Sequence, residues 1–127
     1  MRIFWVSFLL ILFLPFQPAS EAGTFLPEKH SVLGIDFCRI YGSVYFERDP
    51  RRKADTHFTI YEETEEAFAN LVVYKESNKL FADGPGLWYE TTSRDFADYI
   101  IFVSPNRNLA DFGVHFTTIR SFAGCKN

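Results

Sequence analysis

The chain of 127 residues is poor in the side chains from which metal and catalytic centres are usually built. It holds two cysteines and three histidines. Cys38 and Cys125 have no second ligand at CxxC or HxxxH spacing, so as a pair they cannot complete a zinc shell. His30, His57 and His115 are scattered, at no spacing that suggests a metal pair or a triad. There is no phosphate-cradling motif, no recognised nucleophile motif and no N-x-[ST] sequon, and no cofactor is implied. Positive charge is also in short supply: 13 Lys and Arg against 16 Asp and Glu give a net charge of −3. Phosphate binding draws on an excess of basic residues, so this balance argues against nucleic acid and anionic membrane as partners.

The only long apolar run is at the amino terminus, and it is too short to cross a bilayer. One charge at Arg2 precedes the run Ile3 to Leu14, Pro15 and Pro18 break it, and the small residues of "PASEAG" follow. A dozen apolar residues fall well below the roughly 20 that a spanning helix needs. The layout is that of a secretory signal peptide over residues 1–22, cut after Ala22, with the product secreted and no stable membrane span expected. Residues 23–36 are then a lead segment and 37–127 a single domain. In an oxidising compartment the two remaining cysteines are expected to form a Cys38–Cys125 disulfide. Closing so long a loop destabilises the unfolded chain by roughly 4–5 kcal/mol in the loop-entropy model.

What the sequence does have is self-similarity. A cadence of apolar residue, alanine and polar stop recurs at Ala54-Asp55, Phe68-Ala69-Asn70, Phe81-Ala82-Asp83, Phe96-Ala97-Asp98, Leu109-Ala110-Asp111 and Phe122-Ala123-Gly124, with alanines 15, 13, 15, 13 and 13 residues apart. Aligned on that alanine, the position nine before it holds Tyr45, Ile60, Val73, Trp88, Ile101 and Val114, and eight before it Phe46, Tyr61, Tyr74, Tyr89, Phe102 and His115. Three before it stand Arg51, Glu66, Lys79, Arg94, Arg107 and Arg120. The two longer intervals are read as insertions after the stop, Thr56-His57 and Gly84 to Gly86.

The runs VYFE, FTIYE, LVVYK, LWYE, YIIFV and VHFTT are short, aromatic and β-branched, which reads as strand. The fold expected is all-β, one compact domain of six strand-plus-turn repeats of period 13–15. The uncharged stretch Tyr99 to Val103 would invite aggregation on an exposed edge, so it is expected in the middle of the sheet. Alanine is expected where the chain turns beneath a neighbour, and the following Asp or Asn to accept backbone N–H bonds.

Written this way, the units resemble the septoil knot (Septknot) domain over roughly residues 37–125. Cys38-Arg39-Ile40-Tyr41 matches the family's opening, and "IRSFAG", residues 119–124, its closing unit. The family's Gln before Ala is Phe or Leu here, so the bonds of that Gln are expected to be replaced by apolar packing. "CRIYGS" runs directly into "VYFE", so the first pass is abbreviated. The resemblance implies a backbone that winds as a seven-crossing torus knot, whose untying a Cys38–Cys125 bond would hinder, with high kinetic stability.

Two chemical readings compete with purely structural ones. Asp55, Asp83, Asp98 and Asp111 suggest a calcium ladder, but such ladders bring several oxygens per turn, and one carboxylate per stop fits turn capping. Glu62, Glu63, Glu65 and Glu66 offer carboxylates for glycoside chemistry if they meet the acids of another unit; otherwise they form a solvated turn. His115 falls in the aromatic column and reads as a core or half-buried ring, Trp88 falls in the column of Ile and Val and reads as core packing ahead of a sugar-stacking platform, and the basic stretch 48–53 is a solvated turn or a processing site. The function expected is a non-enzymatic secreted module that binds an extracellular protein or glycan or serves as a scaffold, with no catalytic, cofactor or metal residues assigned. The alternatives are a small carboxylate-dependent hydrolase and a precursor cut near Arg52.

Overall fold

The computed structural model describes residues 31–32 and 35–126; the expected signal segment, most of the lead segment and His30 lie outside the described residues. Among the described residues nine strands follow in order: β1 (Ser31–Val32), β2 (Ile35–Asp36), β3 (Gly42–Glu47), β4 (Phe58–Glu62), β5 (Leu71–Glu76), β6 (Leu87–Glu90), β7 (Tyr99–Val103), β8 (Phe112–Thr117) and β9 (Gly124–Cys125). Each strand from β3 to β8 is entered through one 3-10 turn and left through another. β1 and β2 form an antiparallel pair, and β9 lies antiparallel along the start of β5.

The six strands β3 to β8 are all parallel and close on themselves in the order β6-β3-β7-β4-β8-β5, with β5 pairing back to β6. Pairing passes from neighbour to neighbour about two residues further along each strand, the stagger that closes a small barrel with steeply tilted strands. Closure leaves these strands no free edge. Tyr99 to Val103, expected to be central, lies between β3 and β4.

Side chains alternate across the barrel wall, and each strand sends one residue to the centre: Val44, Ile60, Val73, Trp88, Ile101 and Val114, all 0 % exposed. Phe37, Ile40, Phe58, Leu71 and Phe112 fill the amino end beneath them. Phe37 stacks on Phe112 at 4.7 Å, and the buried indole of Trp88 donates to the Ile40 carbonyl at 2.8 Å. The sequence alignment had placed Tyr45 in this central column. The structure puts Val44 there and leaves Tyr45 half-buried outside, where Arg94 covers its ring. The cause is the first turn, Pro50–Asp55, which is six residues long where the others have three. Its closing N–H belongs to Thr56, bonded to the Lys53 carbonyl, not to Ala54. Ala54 stands four residues after the first residue of its turn where the other alanines stand three after theirs, so counting back from it lands one residue out, and in a strand one residue changes the face.

The chain makes two circuits. β3, β4 and β5 take alternate places on the first, and β6, β7 and β8 fill the gaps on the second. Except from β5 to β6, which are neighbours, each connection between these strands must therefore pass outside the strand that stands in its way. Residues 63–70 straddle β8: Glu63 N–H bonds to the Val114 carbonyl, and Asn70 N–H to the Gly113 carbonyl. Gly113 makes room for that crossing, since a Cβ there would sit 3.0 Å from Glu63 Cγ. Interleaved circuits of this kind are the winding a torus knot requires.

Candidate functional site

The polar stops come first, because repetition made them the most visible candidates. Asp98 donates its N–H to the Ser43 carbonyl while its carboxylate accepts the Ser43 N–H at 2.8 Å. Asp111 makes the same reciprocal pair with Thr59, Asn70 with Gly113, and His57 with Ile100 through Nδ1 at 2.9 Å. The side chain thus acts as one more rung of the parallel ladder at the start of the following strand. Its partner is 43 to 55 residues away in sequence, not in its own turn. Gly42, at φ +108°, keeps the Asp98 rung open, because a Cβ there would come within 2.5 Å of Asp98 Oδ2.

Asp55 and Asp83, grouped with them by alignment, do not do this. Asp55 is exposed and contributes only its carbonyl, to Arg94 Nη2 at 2.8 Å. The Asp83 side chain is 70 % exposed, 3.8 Å from Arg120. Among the described residues no three His, Cys, Asp or Glu side chains converge as a metal would require.

A second system runs round the outside, at the carboxyl ends of the strands. Glu47 and Glu76 end β3 and β5, Glu63 directly follows the end of β4, and each is gripped by the turn arginine of a second-circuit unit. Arg94 reaches Glu47 at 2.8 Å, Arg107 reaches Glu63 at 2.5 Å and Arg120 reaches Glu76 at 2.5 Å. The three carboxylates are 5 to 7 % exposed, but of their partners only Arg94, at 18 %, is itself largely buried; Arg107 and Arg120 are 58 and 53 % exposed. Arg107 also lies over Tyr61 and Phe68. The bond from Glu76 raises the Arg120 pKa further above its ordinary value. The second-circuit strands have a hydroxyl in place of the Glu: Thr91, Ser104 and Thr117 each accept an N–H from two residues on. In the remaining units the basic column has other tasks. Arg51 pairs with Asp49, whose carboxyl that bond holds below its usual range, and Glu66 is bound and likewise lowered by Lys126.

The apolar residue before each alanine does not replace a buried Gln by packing, as expected from the resemblance. Phe68, Phe81, Phe96, Leu109 and Phe122 are 53 to 76 % exposed, because the crossing segments lie on the outer surface and this position faces away from it. The alanines divide as well: Ala69 and Ala82 are buried, Ala97, Ala110 and Ala123 partly so, and Ala54 is exposed.

The acidic stretch is split by strand parity. Glu63 turns outward into the Arg107 clamp, Glu66 goes to Lys126, and Glu62 follows the inner face to the rim of the barrel. Two residues beyond the central ring, the inner face presents Phe46, Glu62, Lys75, Glu90, Val103 and Phe116, one per strand. This layer forms a mouth at the carboxyl ends of parallel strands, the end where α/β barrels and open parallel sheets place their ligands. Lys75 Nζ holds Glu90 at 3.0 Å and lies 5.2 and 4.7 Å from the ring centres of Phe46 and Phe116. Beside it opens a cleft of about 410 Å³ lined by Arg48, Tyr61, Glu62, Val103, Ser104 and Pro105. A smaller one of about 100 Å³ shares Arg48, Glu62 and Val103 with it and reaches Lys75 and both phenylalanines. The mouth was not singled out from the sequence. Its signal was a charged residue two places after a core residue, at Glu62, Lys75 and Glu90, where alternation predicts an apolar one.

The other expected residues lie elsewhere. Cys38 and Cys125 are disulfide-bonded, with Cα atoms 5.3 Å apart. Cys125 pairs opposite Leu71, at the amino end of the barrel. His115 bonds the Glu63 carbonyl through Nδ1 at 2.9 Å, and Trp88 is core.

No curated protein and no solved structure matches the chain. The family model of the 7(1) septoil knot domain matches residues 37–126, the whole stretch from the first 3-10 turn to the disulfide. With that match, a closed parallel barrel and a chain interleaved in two circuits, this protein belongs to the 7(1) septoil knot domain family.

Proposed function

We propose that the chain is an extracellular, non-enzymatic binding module of residues 23–127, held rigid by its winding and disulfide, with the barrel mouth as its binding surface. The observation that carries this reading is the contrast in pairing. Arg48 is the one arginine among the described residues with no carboxylate within ion-pair distance, and Glu62 beside it has no ion pair or side-chain hydrogen bond. Charged groups placed round a cleft over aromatic rings, and not consumed by the fold, are what a recognition surface needs. The disulfide fits an oxidising compartment. A hydrolase built from the Asp stops and the Glu62–Glu66 patch is disfavoured, since Asp98 and Asp111 sit at the amino ends of the strands and Glu62 at a carboxyl end.

The test is a screen of the secreted, disulfide-bonded protein against glycans and extracellular proteins, repeated with Arg48→Gln and Glu62→Gln. A ligand lost on both substitutions supports the mouth as the site; a ligand indifferent to both removes it. Mass spectrometry of the secreted material examines the boundaries at the same time: a chain starting at Gly23 that gains about two mass units on reduction is expected, and fragments ending near Arg52 would favour a processed precursor.

A further inference from the structure

The two unpaired charges at the mouth are of opposite sign and form no ion pair with each other. Arg48 leaves the end of β3 and Glu62 ends β4, while β7 runs between these strands in the barrel. The exit of β7, Val103 to Pro105, therefore forms the floor between a guanidinium on one side and a carboxylate on the other, and Tyr61 adds an aromatic wall. Arg48 and Glu62 line both clefts yet form no ion pair with each other. Unpaired in one cleft, each charge is free to accept a partner of its own.

The floor is apolar at Val103 and Pro105, with one hydroxyl at Ser104, which already accepts the Asn106 N–H at 3.1 Å. A neutral sugar can hydrogen-bond both groups but neutralises neither, and a simple anion or cation would use only half of the pair. A molecule with a carboxylate at one end, an ammonium at the other and an apolar body uses all three surfaces. Arginine's planar fork suits a carboxylate in particular. The cleft volume of about 410 Å³ falls within the roughly 300–1,000 Å³ usual for small-molecule sites.

We infer that the mouth binds a small zwitterion of the amino-acid or short-peptide type, its carboxylate on Arg48, its ammonium on Glu62 and its apolar side chain along Val103 and Pro105. This ligand class rests on the reading of the mouth as the binding surface. Lys75 and Glu90 complete the rim as a satisfied pair, so neither competes for the ligand.

The experiment is a titration of the intact, oxidised protein with leucylleucine, with its N-acetylated form and with its C-amidated form, followed by backbone amide NMR. The free dipeptide is expected to shift the amides of Arg48, Tyr61, Glu62 and Ser104. Each cap is expected to weaken binding at least about tenfold, because each removes one charge-assisted contact. Arg48→Gln should bind the free and amidated forms equally, and Glu62→Gln the free and acetylated forms equally. Equal binding of capped and free forms by the unaltered protein, or no shift up to about 10 mM, overturns the ligand class. If a ligand from the wider screen is then lost on Arg48→Gln and Glu62→Gln, only the class falls and the mouth stands; if it is not lost, both fall.

Discussion

Glu62 and Glu63 are neighbours in the chain and belong to different regions of the molecule. Glu63 points outward, is 5 % exposed and is gripped by Arg107; Glu62 points inward along the barrel wall to an open rim and bonds nothing. The same division holds throughout. Outside, the carboxylates of the first circuit are matched one for one by arginines of the second, so charge there serves to fasten one winding to the other. At the mouth Lys75 and Glu90 pair, but Arg48 and Glu62 do not. A single repeat thus supplies both the fastening and the candidate site, and strand parity alone decides which a given charge joins.

The comparison can be broken most forcefully at Arg94. Its side chain is 18 % exposed and Glu47 behind it 7 %, so Arg94→Leu leaves a buried carboxylate with only the Asp49 N–H at 3.0 Å and the more distant Arg52 at 3.8 Å. We expect a loss of about 3 kcal/mol in urea unfolding at neutral pH, with a substantial part regained in the Arg94→Leu/Glu47→Leu double variant, since a buried pair is costly to break singly and cheaper to replace together. If the single variant unfolds like the parent, the outer pairs are not fasteners.

The ladder rungs should come next. Asp98→Ala leaves the Ser43 N–H without its acceptor and is expected to cost about 1–2 kcal/mol, whereas Asp98→Asn should stay within about 0.5 kcal/mol. Asn70 and His57 already perform the same task, so His57→Asn should be equally mild; thermal unfolding of the four proteins decides it. A large penalty for Asp98→Asn would mean that the negative charge, not the acceptor atom, matters there.

A smaller effect is expected at the chain end. The Lys126 bond holds the Glu66 carboxyl below its ordinary value of 4.5, so the contribution is complete above that pH and disappears as pH falls through the lowered value. Lys126→Met should therefore melt slightly below the parent at neutral pH and with it at about pH 2. A gap that persists in acid would assign Lys126 a role other than this pair.

The smallest change is expected at the mouth itself. Arg48→Gln and Glu62→Gln should each alter stability by no more than about 0.5 kcal/mol, because neither side chain holds anything within the fold. A loss like that of Arg94→Leu would move these residues from the mouth to the fasteners and erase the contrast.

Much of the fold was legible because its repeat is written in residue types. Six runs of β-branched and aromatic residues became six strands, and the alanines marked five of the turns. The Asp slot was recognised as an acceptor of backbone N–H, but its donors lie on other strands, at sequence distances that no local pattern reveals. His57 escaped altogether, since only the geometry shows an imidazole nitrogen standing where Asp98 has an oxygen. The slip at Tyr45 came from one long turn, Pro50–Asp55, inside an otherwise constant spacing. The clamps were half legible: the Arg column was seen, but not its partners, because Glu47, Glu63 and Glu76 meet arginines 47, 44 and 44 residues later. The mouth was hidden because Glu62 was read as part of an acidic run, when consecutive residues of a strand face opposite ways.

The bridge between Cys38 and Cys125 spans 87 residues and encloses nearly the entire matched domain. With it in place the backbone between them has no ends: it is a covalent ring, and the knot type of a ring is invariant under any motion that leaves its bonds intact. Denaturant can dissolve every strand of the oxidised protein and still leave the circle with the knot type on which it closed. Threading is thus a decision the chain makes once, while its thiols are free, and the disulfide then records it. An oxidised chain returned from denaturant has only to repack, whereas a reduced one must find its path through itself again.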